Sequence, residues 1–174
     1  FGLVVVSIIL KQQYFNQKIL NSNQEFFINT NTTFNQLMNK LDALSINLHP
    51  IAKAGLNMFA KQKRLDYWFE PGRYVLKETY SINDVINKLR SRSQDPVNVT
   101  FNSMDDISGV FGVIGNKLEL DSIDLVNYLD STQISKDSLY FLFIPNTYEL
   151  FWDISPETFI NRMHTEYKKF WTTK

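Results

Sequence analysis

The chain of 174 residues carries 18 Lys and Arg against 18 Asp and Glu, and 44% of its residues are hydrophobic. This composition allows one ordinary domain or two small ones with packed cores, and it excludes general disorder. The formal net charge of zero argues against nucleic acid as a partner, because phosphate binding needs a basic excess. Without cysteine, the chain can form neither a disulfide framework nor a thiolate metal site.

The first ten residues, FGLVVVSIIL, are apolar, and Lys11 and the aromatic pair Tyr14 and Phe15 follow them closely. A membrane span needs about 20 apolar residues, so ten are too few by themselves. The segment fits a buried strand, the core of a signal peptide, or the outer half of a membrane-spanning helix that begins upstream. We favour the last, because lysine and aromatic residues are typical of the membrane interface. Residues 1–20 are therefore expected to be the end of a membrane anchor and a stalk.

The next part of the chain, residues 21–95, predicts the order strand, helix, helix, strand, helix. EFFIN (25–29) and RYVLK (73–77) have the composition of strands, and Pro-Gly precedes the second one as a turn signal. The polar stretch SQDP (93–96) is the best candidate for a linker, so we place a domain boundary after residue 95.

The three helices of this part are predicted from their caps and from their apolar periodicity. Thr33 and Gln36 have the spacing of a capping box, Pro50 opens the second helix, and Ser81 caps the third. The expected inner faces are Phe34, Leu37, Met38, Leu41 and Leu44, then Ile51, Ala54, Gly55, Met58 and Phe59, then Ile82, Val85, Ile86 and Leu89.

The last part, residues 96–174, begins with the alternating strand VNVTF (97–101). Two helices follow, the first with the stripe Ile107, Val110, Phe111, Ile114 and Leu118, the second capped by Ser122. LYFLFI (139–144) predicts a buried strand, and the polar residues after it predict a loop. Ser155 caps a final helix with the expected inner residues Phe159, Ile160, Met163, Tyr167 and Phe170. No internal repeat is apparent.

No residue pattern identifies a metal or cofactor site, and we expect neither. His49 and His164 lie in unrelated contexts, and the three glycines of GVFGVIG (109–115) fit helix packing better than a dinucleotide loop. Three carboxylates, Glu149, Asp153 and Glu157, lie near the aromatic residues Tyr148, Phe151 and Trp152. Aromatic faces beside carboxylates suit sugar rings, although core, turn and helix-start roles explain the same residues equally well.

The stretch FIPNTYELFWDISPETFINRM (143–163) resembles the Pro-Asp/Asn-Thr-Tyr signature of the YceG-like (MltG) family of endolytic murein transglycosylases. Its Asn, followed by a Trp-containing turn, resembles members from Bacteroidetes-type bacteria. EPGRYVLKETYSINDVINKLRSRSQDPVNVTF (70–101) resembles the family's passage from a LysM-like subdomain into the catalytic domain. The apolar N-terminal segment is similar to the family's single membrane anchor. The resemblance covers nearly the whole chain in order.

The resemblance implies an α+β fold with three parts: a partial N-terminal transmembrane helix (1–20), a LysM-like βααβ subdomain (21–95) and the N-terminal part of a YceG-like catalytic domain (96–174). It implies a membrane-anchored lytic transglycosylase that cleaves MurNAc–GlcNAc bonds in nascent peptidoglycan strands. The sugar's own hydroxyl would close a 1,6-anhydro ring, so one carboxyl group acts first as acid and then as base. The implied location is the bacterial inner membrane, single-pass, with the domain facing the periplasm. The implied partners are glycan strands, the membrane and cell-wall synthases.

The same resemblance assigns substrate-binding residues but no catalytic one. Asn146, Thr147 and Tyr148 match the family's motif and are expected to line the glycan cleft, with Glu149 beside them as a further candidate. The family's catalytic Glu lies in a downstream motif of the type Ala-Ser-Ile-Val-Glu, which the 174 residues do not contain. We therefore expect that Glu C-terminal to this chain and expect the chain itself to be inactive. The alternative is a non-catalytic, membrane-tethered module that binds glycan or serves as a scaffold in the cell wall.

Overall fold

The computed structural model of the chain describes residues 14–44, 48–102, 107–132 and 141–172. The chain divides into two compact units, Phe1–Asp95 and Pro96–Lys174, and each contains helices and one small antiparallel sheet. The predicted α+β class is thereby confirmed. Among the described residues, no helix is both long and apolar enough to cross a bilayer. Of the segment 1–20 that was expected to be the end of an anchor and a stalk, residues 1–13 lie outside the described residues. The stalk expected after them is wrong at its described end, because Phe15, Ile19 and Leu20 are buried in the core of the first unit.

The first unit has the predicted order strand, helix, helix, strand, helix. Its elements are β1 (Gln24–Ile28), α1 (Phe34–Leu44), α2 (Pro50–Gln62), β2 (Gly72–Leu76) and α3 (Ile82–Arg90). The strands β1 and β2 pair antiparallel, with Phe26 opposite Tyr74 at the centre of the ladder. Alternate residues of β2 are buried, so one face of this two-stranded sheet lies against the core.

Local hydrogen bonds fix the starts of the helices α1 and α3. The Gln36 side chain accepts from the Thr33 N–H at 2.8 Å, and the Thr33 hydroxyl accepts from the Gln36 N–H at 3.4 Å. Ser81 and Asp84 exchange the same two bonds at the start of α3, at 3.0 and 3.2 Å. Both arrangements are capping boxes, which satisfy N–H groups that the first turn of a helix leaves without partners.

The predicted inner face of α2 is wrong except at Phe59, which is buried as expected. Ile51 and Met58 are 63% and 64% exposed, whereas the buried residues are Ala52, Leu56, Phe59 and Ala60. Ala52, Leu56 and Ala60 lie four residues apart and define a face rotated from the predicted one. The small residues Ala52 and Ala60 let this helix approach the core closely, whereas the prediction had given that role to Ala54 and Gly55. The faces predicted for α1 and α3 agree better with the structure, since all four residues expected in α3 are buried.

The second unit consists of β3 (Val97–Phe101), α4 (Ile107–Lys117), α5 (Ser122–Thr132), β4 (Asn146–Leu150) and α6 (Pro156–Thr172). The strands β3 and β4 pair antiparallel, with Val99 opposite Tyr148. The N–H of Asp124 donates to the Asp121 carboxylate at 2.8 Å, so Asp121, and not Ser122, caps α5. The Ser155 hydroxyl accepts from the Thr158 N–H at 3.2 Å, as expected for the cap of α6.

The strand predicted at LYFLFI is wrong in position. Phe141 and Leu142 are helical, and the strand instead comprises Asn146–Leu150, the polar run that was predicted to be a loop. Its residues alternate, since Tyr148 and Leu150 are buried whereas Thr147 and Glu149 are exposed. Such period-2 alternation is what a sheet with one solvated face requires. The prediction had followed the density of apolar side chains, which is higher in the segment before the strand.

The inner face of α6 also differs from the prediction, at the C-terminal end of the helix. Phe159, Ile160 and Met163 are buried and Tyr167 is partly buried, but Phe170 is exposed. In α4, Val110, Ile114 and the following Leu118 are buried as expected, with Phe111 partly buried against the same core.

The two units share one order of elements, although no internal repeat was apparent from the sequence. Both have the order β-α-α-β-α. The strand β4 begins at Asn146 and β2 at Gly72, which is 74 residues earlier, and the helices α6 and α3 begin at Pro156 and Ile82, again 74 residues apart. The same separation relates the buried residues Val85, Ile86 and Leu89 of α3 to Phe159, Ile160 and Met163 of α6. Equivalent positions in the two units can therefore be compared directly.

Candidate functional site

A groove of about 470 Å³ lies beside β4 and α6 in the second unit. The residues that line it are Asn98, Asn146, Thr147, Tyr148, Glu149, Arg162, Glu166 and Lys169. The structure thus brings all four substrate-binding candidates, Asn146 to Glu149, to one groove. Amides, hydroxyls, carboxylates and two cations make up the polar part of this lining, and its volume is in the range of ordinary ligand sites.

The outer face of the β3–β4 sheet supplies the exposed polar side chains of the groove. Thr147 lies opposite Thr100, and their hydroxyl oxygens are 2.8 Å apart. Glu149 lies opposite Asn98, which explains why Asn98 lines the same groove. The Asn146 side chain accepts from the Thr147 N–H at 2.8 Å, so it holds the start of the strand in place. These contacts give the groove a wall with defined geometry.

Tyr148 belongs mainly to the core beneath this wall. Its side chain is only 4% exposed, and its ring centroid lies 5.6 Å from that of Phe101. The phenol donates to the main-chain carbonyl of Ile144 at 2.7 Å. Burial raises the pKa of Tyr148, the Glu166 carboxylate raises it further, and the Arg162 guanidinium acts in the opposite direction. The phenol is therefore a stable hydrogen-bond donor that fixes β4, whereas its neighbours Asn146, Thr147 and Glu149 are exposed.

The helix α6 supplies the charged side of the groove. Arg162 and Glu166 lie one turn apart, and their side chains form an ion pair of 2.9 Å that is partly exposed. Lys169 follows nearly one turn later and lines the groove as well. Sequence reasoning missed these three residues and Asn98. The spacing of 162, 166 and 169 could have shown a polar face of the helix, but only the pairing of β3 with β4 brings Asn98 to the site.

The aromatic and acidic residues that follow the motif do not form one cluster. Phe151 is exposed, and the main-chain carbonyl of Trp152 accepts from the Glu119 N–H at 2.8 Å. Asp153 and Glu157 are not among the residues that line the groove. Sugar stacking by Phe151 and Trp152, one of the two roles that the spacing left open, is not supported, because neither residue lines the groove.

The two histidines occupy positions unrelated to the groove. The Nδ1 atom of His49 accepts from the Ile51 N–H at 3.3 Å at the start of α2, and its ring stacks on Tyr14. His164 is exposed on α6. Within the described part of the chain, no group of three or more His, Asp or Glu side chains could hold a metal ion.

The fold and the groove define an α+β protein with a polar groove on its second unit. Residues 26–174 match the sequence profile of the YceG-like family, and the chain therefore belongs to that family. The YceG-like family is known for endolytic murein transglycosylase function. Comparisons with curated proteins and with solved structures gave no match.

Proposed function

We propose that the chain is part of a membrane-anchored endolytic lytic transglycosylase, which cleaves MurNAc–GlcNAc bonds in nascent peptidoglycan strands and leaves 1,6-anhydro-MurNAc ends. One observation carries this proposal. The Pro-Asn-Thr-Tyr segment of the family forms a wall of an open polar groove of about 470 Å³. The match to the YceG-like family over residues 26–174 supports it independently.

The lining of the groove suits a glycan strand. The side chains of Asn98, Asn146 and Thr147 can donate to and accept from sugar hydroxyls and acetamido groups, and Glu149 can accept from hydroxyls. The strand β4 holds three of these residues, Asn146, Thr147 and Glu149, at consecutive or alternate positions, so they are presented on a rigid element.

The catalytic acid of this reaction needs partly apolar surroundings, because these raise the pKa of a carboxyl group so that it is protonated near neutral pH. The two carboxylates of the groove lack such surroundings, since Glu149 is exposed and Glu166 pairs with Arg162. We therefore propose that the catalytic Glu lies C-terminal to Lys174, in a motif of the type Ala-Ser-Ile-Val-Glu. The groove beside β4 would bind the strand that this Glu cleaves.

The remaining parts of the chain have proposed roles as well. The strand-helix-helix-strand order of 21–95 supports a LysM-like module, and residues 96–174 would be the N-terminal part of the catalytic domain. The apolar residues 1–10 would end a single-pass anchor in the bacterial inner membrane, with both units in the periplasm near cell-wall synthases. The Asn of the motif supports a Bacteroidetes-type member.

A non-catalytic role for the 174 residues is the second candidate. The observation that favours it is the combination of a polar groove with the absence of the Ala-Ser-Ile-Val-Glu motif from this sequence. In that case the chain would hold glycan strands for other enzymes. The two candidates differ in the product that the parent protein forms.

The test compares the 174-residue chain with the full-length parent on purified glycan strands. We expect both to bind the strands and only the parent to release 1,6-anhydro products, which mass spectrometry identifies. A parent that binds but releases no such products would support the non-catalytic role. Anhydro products from the 174-residue chain, or no binding by either protein, would contradict the proposal.

A further inference from the structure

The outer edge of β2 in the first unit is closed by one residue, Asp95. Its N–H donates to the Arg73 carbonyl at 2.7 Å, and its carboxylate accepts from the Val75 N–H at 2.8 Å. The same carboxylate oxygen lies 3.0 Å from the Lys88 ammonium. The edge of β2 and the Lys88 ammonium of α3 therefore bind the amide N–H and the carboxylate of one residue.

The second unit has the same three binding groups in its groove. The 74-residue separation that relates β2 to β4 and α3 to α6 places Thr147 at the position of Arg73, Glu149 at that of Val75, and Arg162 at that of Lys88. All three residues of the second unit line the groove. The groove thus repeats the site that Asp95 fills in the first unit.

Two contacts indicate that the main-chain groups of Thr147 and Glu149 point away from β3, as those of Arg73 and Val75 point toward Asp95 in the first unit. The Thr147 N–H donates to the Asn146 side chain, so it is turned away from β3. The hydroxyls of Thr147 and Thr100 meet at 2.8 Å, as in a pair of residues that do not exchange ladder hydrogen bonds. Because Glu149 lies two residues further, its N–H points to the same side as the Thr147 carbonyl. Both groups therefore face the groove.

The chain that follows the helix cation differs between the two units, because α3 is shorter than α6. The helix α3 ends at Arg90, Arg92 adopts φ 59°, and the chain returns to β2 at Asp95. The helix α6 continues to Thr172, so the position equivalent to Asp95 is Lys169, which is still helical. In the described part of the second unit, only β3 pairs with β4.

We propose that the β4 edge binds a carboxylate-bearing acyl-amino acid. The ligand's amide N–H would donate to the Thr147 carbonyl, and its carboxylate would accept from the Glu149 N–H and from Arg162. Arginine suits this role because its guanidinium has five donors, so it can hold a ligand carboxylate while it remains paired with Glu166.

The source of this ligand rests on the proposed function. In peptidoglycan, a peptide is attached to the lactyl group of MurNAc, and its second residue is an acylated amino acid that carries a free carboxylate close to the sugar. The groove would then recognise strands that still carry their stem peptides. Recognition of the stem peptide would make glycan binding more specific, and it does not depend on the catalytic Glu.

The experiment uses the 174-residue chain and four probes: N-acetyl-L-Ala-D-Glu, its neutral diamide, N-acetylmuramoyl-L-Ala-D-Glu and the tetramer of GlcNAc. We expect the dicarboxylate to bind at least tenfold more tightly than the diamide at low salt, and the Glu149 amide resonance to shift on titration. Arg162→Gln should weaken binding of the dicarboxylate about tenfold, since charge-assisted hydrogen bonds are the strong ones. Arg162→Lys should retain most of it, because Lys88 performs this role in the first unit.

Lys168→Gln is the matched control, because it removes one positive charge from an exposed position on the same helix that does not line the groove. It should change the affinity less than twofold. Equal binding of dicarboxylate and diamide, or an unchanged affinity after Arg162→Gln, would overturn the inference. If the GlcNAc tetramer bound and none of the three peptide-containing probes did, the inference would be overturned and the proposed function would stand. Binding of the dicarboxylate alone would support the inference and count against the glycan role.

Discussion

Tyr74 and Tyr148 occupy the same place in the two units, and each phenol donates to the main-chain carbonyl four residues earlier, of Glu70 at 3.0 Å and of Ile144 at 2.7 Å. Each tyrosine is the third residue of a five-residue strand and follows a proline by three positions. In each unit this hydrogen bond connects the buried tyrosine to the turn that precedes the strand. It therefore fixes where β2 and β4 begin, and in the second unit it fixes the wall of the groove.

Tyr148→Phe should lower the free energy of unfolding by about 1 kcal/mol, because it removes one partly buried hydrogen bond and leaves the ring in place. Tyr74→Phe should have an effect of similar size, since its bond has the same geometry. Tyr148→Ala should cost about 3–5 kcal/mol, as expected for loss of a buried aromatic ring. Urea unfolding of the variants measures these values. An unchanged midpoint for both Phe variants would show that the phenols do not hold the strands.

The raised pKa of Tyr148 predicts a loss of stability at high pH. Above the ordinary tyrosine pKa of about 10, the unfolded chain releases this proton while the folded state still holds it. The stability contributed by Tyr148 is therefore complete below pH 10 and decreases as the pH rises through the folded-state pKa. The difference in unfolding free energy between the wild type and Tyr148→Phe should shrink as the pH rises above about 10. Glu166→Gln should reduce this pH dependence, because the Glu166 carboxylate raises the same pKa. A difference that is constant or grows with pH would contradict the assignment.

Asp95→Ala should destabilise the chain by about 1–3 kcal/mol, because it leaves the partly buried Val75 N–H without its partner and removes the partner of Lys88. Asp42→Ala is the matched control. The pair of Asp42 with Lys53 is largely exposed, at 3.4 Å, so its loss should cost between about 0 and 1 kcal/mol. Equal effects of the two substitutions in chemical denaturation would show that Asp95 does not close the edge of β2.

Helix faces were predictable wherever large apolar residues mark them. The stripe of α3 is correct because Ile82, Val85, Ile86 and Leu89 are bulky and the intervening residues are polar. In α2 the inward residues include two alanines, and no apolar-periodicity rule ranks Ala52 above Ile51. Which of these residues faces inward depends on how closely α2 approaches the other elements, and only the packed core determines that distance.

Only those residues of the site that are consecutive in the sequence were predictable. The motif gave Asn146 to Glu149, but hydrogen bonding between strands that are distant in sequence brings in Asn98, and the packing of α6 brings in Arg162. The correspondence between the units was missed because only scattered identities mark it, such as Pro71 with Pro145, Tyr74 with Tyr148 and Ser81 with Ser155. Elsewhere the two cores preserve burial more often than residue identity. At equivalent positions of α3 and α6, Val85 corresponds to Phe159 and Leu89 to Met163. Cores tolerate such exchanges when the pattern is kept.

Gly72→Ala should destabilise the first unit by about 1 kcal/mol or more. Gly72 has φ 135°, which residues with a side chain rarely adopt, and an added Cβ would lie 2.4 Å from the Gln94 side chain. Gly115→Ala in α4 is a control with the opposite sign, because an added Cβ meets nothing within 4 Å. It should stabilise the chain by about 0.5–1 kcal/mol through higher helix propensity. Thermal unfolding distinguishes the two, and stabilisation by Gly72→Ala would contradict the described turn.

Asn98→Ala and Asn146→Ala should each weaken binding of a GlcNAc tetramer by about two- to tenfold, because each removes side-chain hydrogen bonds of about 0.5–1.5 kcal/mol from the groove. Asn146→Ala should have the larger effect, since it also frees the Thr147 N–H and loosens the start of β4. Asn161→Ala is the control, because Asn161 is exposed on α6 and its side chain does not line the groove. Calorimetric titration measures the affinities, and unfolding midpoints within about 2 °C of the wild type would show that the fold is intact. If Asn161→Ala weakened binding as much as the other two, the glycan would bind elsewhere on the second unit, and the Pro-Asn-Thr-Tyr segment would have a structural role only.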